Sequence, residues 1–438
     1  MFGKLLRLAL QNPSLTIKLA QPHRVKKALS MLWHDRNSLG HIFDWYQDLY
    51  GAGTSQAQSD QFVTEACAMT SKADVLVFPV IDWSYRHQRP QHLSLAMAER
   101  GYRVFYFSTV PMLAGDERSY RIIRRVAPSV FVCQLRAVQD KIDDMYRHAM
   151  DERVRDAYRD SLQALMRDVG LQSTISILHH PYWTPLVQSL GKTRIIYDCM
   201  DDHRAFHETS DPSMSQTEQS LILTADEVVT SSAYLHDRVG SIRPNTLIRN
   251  GCEFRLFSQT LEAPNGHESV AGYVGAISRW FDIQLIMLVA QLLPTWRFVL
   301  VGSTVGCDVQ QAFGLRNIEF VGEVDYYRVP EYLSKFDVCM IPFKLTLLTM
   351  ATNPVKVYEY LAAGKPVVAT RLPELLLLPE QVRVASDAQE FAAQLCEARQ
   401  TARDYVAIER RRAWAREQDW EARADVFESV MRGEVRSQ

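Results

Sequence analysis

From Asp74 to Thr370 the chain repeats one unit, a short apolar run followed by apolar residues at helical spacing. Such runs suit strands buried on both faces, and strands separated by helices pair in parallel because each crossover lays a helix against the sheet. The repeat therefore restricts the chain to an α/β architecture of doubly wound sheets. Strands are expected at 75–80, 104–107, 130–135, 175–178, 194–197, 227–230 and 246–248, with helices at 91–100, 140–169 and 215–225. After Asn250 a second series begins, with strands at 270–274, 297–301, 318–321, 338–341 and 366–370. The fold expected is two Rossmann-like domains facing a cleft, with ligands beyond the carboxyl ends of the strands.

Length agrees, since 438 residues exceed what one core sustains. Four segments are expected: a basic helical extension and linker over 1–73, a first Rossmann-like domain over 74–250, a second over 251–402, and a C-terminal helix over 403–438 returning toward the first domain. The seven cysteines are scattered and form no CxxC pair, which argues against a disulfide framework or a zinc site and for a reducing cytoplasm. The longest uncharged apolar stretch, 283–296, contains Gln284, Gln291 and Pro294 and falls short of the roughly 20 residues that span a bilayer.

The formal charge of −2 conceals an asymmetry: residues 1–30 carry six Lys or Arg and no acid, leaving −8 on the remainder. A body of that charge repels phosphate backbones, which excludes nucleic acid as the expected partner. Phe2, Leu5, Leu6, Ala9 and Leu10 share a helical face beside Lys4 and Arg7. That amphipathic pattern suits the inner face of an anionic membrane, the alternative being a helix packed on the body. A Gly/Ser/Gln-rich stretch at 51–60 reads as flexible linker, and 403–432, with Trp414 and Trp420, as helix.

Chemistry concentrates in Ala351-Thr352-Asn353-Pro354-Val355-Lys356-Val357-Tyr358-Glu359-Tyr360-Leu361-Ala362-Ala363-Gly364. Asn353 suits a helix N-cap, Pro354 the first helical position and Gly364 the C-terminal cap. The helix start offers free N–H groups and a positive dipole end to a diphosphate, and Lys356 adds a point charge. Glu359, one turn on, is placed to accept ribose hydroxyls; the plainer reading of Lys356 and Glu359 is a surface ion pair.

This segment, with Ile248-Arg249-Asn250-Gly251-Cys252-Glu253 and Gly272-Tyr273-Val274-Gly275-Ala276-Ile277-Ser278, resembles glycosyltransferases of GT-B fold, especially the glycosyltransferase-4 family. The resemblance covers about 74–370. It implies that Glu359 binds the ribose of a nucleotide-sugar and that Asn250-Gly251 marks the crossover between domains. It also implies transfer of a sugar, such as a hexose, without a metal or other cofactor, because Lys356 and the helix dipole already neutralise the diphosphate. Two departures stand out. The family's second Glu would fall at Ala351, and Ala276 follows Gly275 where the family places Arg, which leaves Arg279 and Lys356 to neutralise phosphate. The chain looks like a divergent branch of the bacterial polysaccharide-assembly type. The missing Glu leaves retention and inversion both open.

The donor set expected is therefore Gly275, Arg279, Asn353, Lys356 and Glu359. In the first domain, Asp82-Trp83-Ser84-Tyr85-Arg86-His87-Gln88-Arg89 follows the first strand, and its aromatic and basic groups suit a saccharide acceptor: Trp83, Arg86 and Arg89 are the candidates, unless they merely brace the loop. His179-His180 and Asp198-Cys199-Met200-Asp201-Asp202-His203 end two further strands. An inverting transferase needs a base for the acceptor hydroxyl, and Asp201, Asp202 and His180 are the candidates; Asp201 is favoured, with His180 as positioning group in a retaining mechanism. Asp198, Asp201, Asp202 and His203 form only a weak metal set, and no metal requirement is expected. The reading is a transferase from a nucleotide-sugar to a glycan or lipid-linked saccharide of the cell surface. A catalytically silent nucleotide-sugar-binding module and a nucleotide-sugar epimerase are the alternatives.

Overall fold

The computed structural model describes residues 54–112, 118–136, 148–205, 212–259, 268–378 and 380–434, with Val138 and Met145 besides. In the first domain, β1 (Asp74–Phe78), β2 (Arg103–Phe107), β3 (Tyr120–Ala127), β4 (Val130–Leu135), β5 (Thr174–Leu178), β6 (Thr193–Cys199), β7 (Glu227–Thr230) and β8 (Thr246–Leu247) form one sheet. Its order is β3-β4-β2-β1-β5-β6-β7-β8, parallel but for the β3–β4 pair. In the second, β9 (Ser269–Val274), β10 (Trp296–Val301), β11 (Ile318–Gly322), β12 (Val338–Ile341), β13 (Val367–Thr370) and β14 (Val382–Ala385) form a parallel sheet in the order β11-β10-β9-β12-β13-β14.

The apolar runs bury both faces of the strands. Along β1, Leu76 and Phe78 join one core with Phe105 and Phe107, while Val75 and Val77 join the opposite one with Val104 and Tyr106. That second core is closed by the last helix of the chain, Trp420–Met431, whose Trp420, Ala424, Phe427 and Val430 pack with Leu93, Ala96 and Met97 of the helix Arg89–Glu99. Polar contacts fix the return: Arg100 pairs with Asp425 at 2.6 Å, and the Tyr102 hydroxyl donates to Glu428 at 3.1 Å.

Several expectations need correction. Residues 54–60 are not linker, because Ser55 and Gln58 make a reciprocal capping box that starts a helix, Gln56–Cys67; residues 51–53 lie outside the described residues. Of the helix expected over 140–169, Glu152–Val169 is helical and starts where Asp151 accepts the Arg153 N–H; residues 140–144 and 146–147 lie outside the described residues. The tail is two helices, Tyr405–Arg416 and Trp420–Met431, the second capped by Asp419. The edge strands β3 and β14 escaped the pattern search because edges are covered on fewer sides, and their arginines break the apolar run. The basic segment 1–30 lies outside the described residues. Among the described residues no helix is long and apolar enough to cross a membrane.

Candidate active site

In the second sheet the chain winds from β9 outward through β10 to β11, then returns to β12 on the other side of β9. The crevice this reversal leaves at the carboxyl ends of β9 and β12 is the expected ligand position. Gly275 follows β9 with φ +143°, and Gly302 follows β10 with φ +146°, conformations that L side chains rarely adopt. A Cβ on Gly302 would stand 1.8 Å from the Gly275 carbonyl oxygen, and one on Gly275 would stand 2.0 Å from Lys356 Cε. The lysine stem therefore lies directly on bare loop backbone, which a side chain at position 275 would prevent.

Lys356 reaches this point from the helix Val355–Ala362. Its N-cap is Pro354, not Asn353, and no side chain caps it; the Val357 N–H turns back to the Pro354 carbonyl at 3.2 Å, which leaves the N–H groups of Val355 and Lys356 to face an anion. Lys356 and Glu359 are half-buried on this helix. Burial lowers the pKa of the Lys356 ammonium; Glu359 partly offsets this and Arg86 adds to it. Burial also pushes the Glu359 carboxyl up to about 7, against the pull of Lys356 and with a push from Glu253. The interdomain pair Arg86–Glu323, with Arg86 Nε 3.0 Å from Glu323 Oε1, brings a second cation across the cleft. Burial opposes the Arg86 charge, but Tyr85 and Glu323 more than restore it. Arg86, expected on the acceptor side, thus projects toward the donor crevice. Arg279 sits exposed on the loop after β9.

Asn353 does not point toward a ligand. Its side-chain oxygen accepts the Asn250 N–H at 3.0 Å, and its amide donates to Tyr358 Oη at 3.0 Å and Glu374 Oε2 at 2.7 Å. Glu374, buried, also accepts from Arg249 Nε at 2.9 Å. This lock between crossover and donor helix uses the side chain that donor binding would need, so the expected donor role of Asn353 is corrected. Ala351 explains the absent second Glu. It is fully buried among first-domain core residues, and its carbonyl accepts from Ser232 Oγ at 2.6 Å, leaving no room for a carboxylate to face a sugar.

Arg89 is corrected as well. Only 1% exposed, it binds Asp198 through two bonds, Nε to Oδ2 at 2.8 Å and Nη2 to Oδ1 at 2.9 Å, while Nη1 donates to the Ile248 carbonyl at 2.9 Å. His179 Nε2 lies 3.3 Å from the same carboxylate. Burial alone would raise the Asp198 pKa, yet Arg89 and His179 hold it down to about 2. Such a guanidinium joins β6 to the crossover and has no face for an acceptor. Trp83, half-buried, stands edge-on to Tyr106 with ring centres 5.0 Å apart and packs against the first-domain core.

His180 is buried, accepts the Tyr182 N–H at 3.2 Å, and packs 4.3 Å from the His203 ring. Burial, then His203, keeps it neutral. Asp202 is taken by Arg204 at 2.7 Å and by the Arg204 N–H, which caps the turn His203–Ala205. Asp201 is half-buried, and burial with the Asp202 charge raises it to about 7, the range where a carboxylate exchanges protons at neutral pH. Glu323, Glu374 and Ser232 were not found from sequence. Arg86 and Glu323 are 237 residues apart and carry no local motif.

Two such domains around a cleft define a GT-B protein. Residues 268–400, most of the second domain, match the family model described as glycosyl transferases group 1. A 213-residue stretch is 34% identical to the putative teichuronic acid biosynthesis glycosyltransferase TuaH of Bacillus subtilis (strain 168), covering 43% of this chain and 53% of that relative. The chain thus spans about half the length of the curated relative it matches. Among solved structures, sucrose-phosphate synthase from Thermosynechococcus elongatus superposes with a TM-score of 0.63 at 17% identity, over 83% of this chain and 99% of that one. The catalytic domain of starch synthase IV from Arabidopsis thaliana, bound to ADP and acarbose, gives 0.58 at 12% identity over 83% and 99%. At these identities the two structures establish the GT-B fold alone.

Proposed function

We propose that this protein is a glycosyltransferase that moves a sugar, a hexose in the simplest case, from a nucleotide-sugar to a glycan or lipid-linked saccharide of a cell-surface polysaccharide. The carrying observation is Lys356 laid on Gly275 at an uncapped helix start, with Glu359 one turn away. The diphosphate sits at that helix start between Lys356 and Arg86, and the ribose hydroxyls donate to Glu359. These cations stabilise the charge that grows on the departing nucleoside diphosphate, so the transfer step needs no metal. Arg279, at the mouth of the loop, adds to the positive field. The relative's role in teichuronic acid biosynthesis supports the polysaccharide reading. A thermal-shift screen of nucleotide-sugars, followed by transfer assays with the stabilising donor, tests it. Stabilisation by none, or donor turnover to an epimer without acceptor, would refute it.

Asp201 serves as the base. Its carboxylate takes the acceptor hydroxyl proton as that oxygen attacks the anomeric carbon and the bond to the diphosphate breaks, giving the inverted anomer, and Trp83 offers a ring for the acceptor to stack on. Asp201→Asn should lower turnover by roughly 10²–10⁴ with unchanged donor affinity. Near-normal turnover, or a retained anomer by nuclear magnetic resonance, would remove Asp201 from this role.

The basic residues 1–30 place the protein on the cytoplasmic face of an anionic membrane, each contributing about 1 kcal/mol. Deleting residues 1–36 should abolish co-sedimentation with anionic vesicles and spare activity on a soluble acceptor. Binding insensitive to deletion and salt would contradict this.

A further inference from the structure

Next to Arg86, and outside the donor site, the two domains bring together groups that nothing in the transfer reaction uses. His87 ends the loop after β1, His92 lies in the helix Arg89–Glu99, and Glu253 stands just past the crossover. One ring nitrogen from each histidine and one carboxylate oxygen of Glu253 all lie within 4.8 Å of one another. The two rings meet at right angles with centres 4.2 Å apart. His92 is stacked on Trp420 of the returning helix at 4.8 Å and 15°, which fixes its ring plane. Tyr326, from the second domain, closes the cluster, its hydroxyl 3.5 Å from His92 Nε2.

We propose that His87, His92 and Glu253 form a binding site for a zinc-class divalent cation, a clasp that ties the first domain to the second beside the crossover. Two imidazoles and a carboxylate suit zinc and its first-row neighbours, whereas magnesium and calcium prefer oxygen alone. Ligand bonds of about 2.0–2.1 Å draw such atoms closer than they now stand; the adjustment falls to His87 and Glu253, which are half-buried, while stacked His92 serves as the fixed member. The clasp is structural: it holds the loop that carries Arg86 without touching the diphosphate.

The test uses the tag-free full chain, stripped with chelator and titrated with Zn²⁺ and Co²⁺ in the absence of any nucleotide-sugar, so that the outcome does not depend on the transferase reading. The expected result is one Zn²⁺ per chain, visible Co²⁺ absorption bands of four- or five-coordinate intensity, and no displacement by excess Mg²⁺. His87→Gln and Glu253→Gln, both at half-buried positions, should each weaken Zn²⁺ by more than about 100-fold, beyond the 10–100-fold typical of groups that only support a ligand. Unchanged far-UV circular dichroism of the metal-free variants identifies that loss as loss of a ligand, and either variant alone suffices. Absence of binding to the wild-type chain, displacement by Mg²⁺, or unchanged affinity in a folded variant would reduce the cluster to aromatic packing and overturn the site.

Discussion

The first sheet reverses its winding between β1 and β5, and beside that reversal it buries Arg89 against Asp198, with the crossover carbonyls around it; the second reverses between β9 and β12 and leaves bare glycine backbone under Lys356. The same topology thus produces a filled joint in one domain and an open anion seat in the other. What differs is the residue type at the strand ends. In the first domain, long charged side chains satisfy one another and become part of the hinge. In the second, glycine lets backbone and a ligand approach closely. Topology says where a crevice forms, and side chains decide whether anything can enter it.

The largest effect should come from removing the plug. Arg89→Met leaves Asp198 buried without its main partner and should cost about 3–5 kcal/mol in urea unfolding; a loss below 1 kcal/mol would show that the joint is not closed by this pair. The same carboxylate sets an acid limb. Its folded pKa is depressed to about 2 from 3.8, so its contribution is complete above about pH 4 and lost as pH falls toward 2. Asp198→Asn should flatten that limb in acid unfolding.

The open seat should respond through binding rather than stability. Lys356→Ala and Glu359→Gln should each weaken donor binding by about 1.5–3 kcal/mol by calorimetry, the first sparing a bare nucleoside and the second not. Equal loss of nucleoside and nucleoside diphosphate in the lysine variant would assign Lys356 to the fold. Gly302→Ala, with φ +146° and its Cβ driven into the Gly275 carbonyl, should cost about 1–3 kcal/mol of stability and disturb the donor loop. A neutral outcome would mean that the glycine pair is not what shapes the seat.

The smallest effect is a pH dependence. With Glu359 raised to about 7, the ionised form that accepts ribose hydroxyls predominates only above that pH. Donor affinity should be full above about pH 8 and fall at most tenfold per unit below 7, a dependence that Glu359→Gln removes. Asp201, also at about 7, acts instead on turnover, so the two limbs separate into dissociation constant and kcat.

The sequence by itself determined the α/β class and the donor helix. Period and apolar runs are local properties, and one helix start carries Lys356 and Glu359 within a single turn, so neither needed the rest of the chain. Tertiary structure decided which polar residues remained available. Arg89, Arg86 and Asn353 read alike as exposed ligand-binding groups, yet one is sealed on Asp198, one crosses to Glu323, and one locks Asn250 to Glu374. The Asn250–Asn353 contact spans 103 residues and Arg86–Glu323 spans 237, separations at which no spacing rule reports a partner. The position of Ala351 shows the same limit from the other side: an absent carboxylate reads as a lost function in the sequence, while in the fold that position is packed against the first domain under Ser232. Burial fixes both the protonation of a side chain and its access to a ligand, and burial is a property of the folded chain.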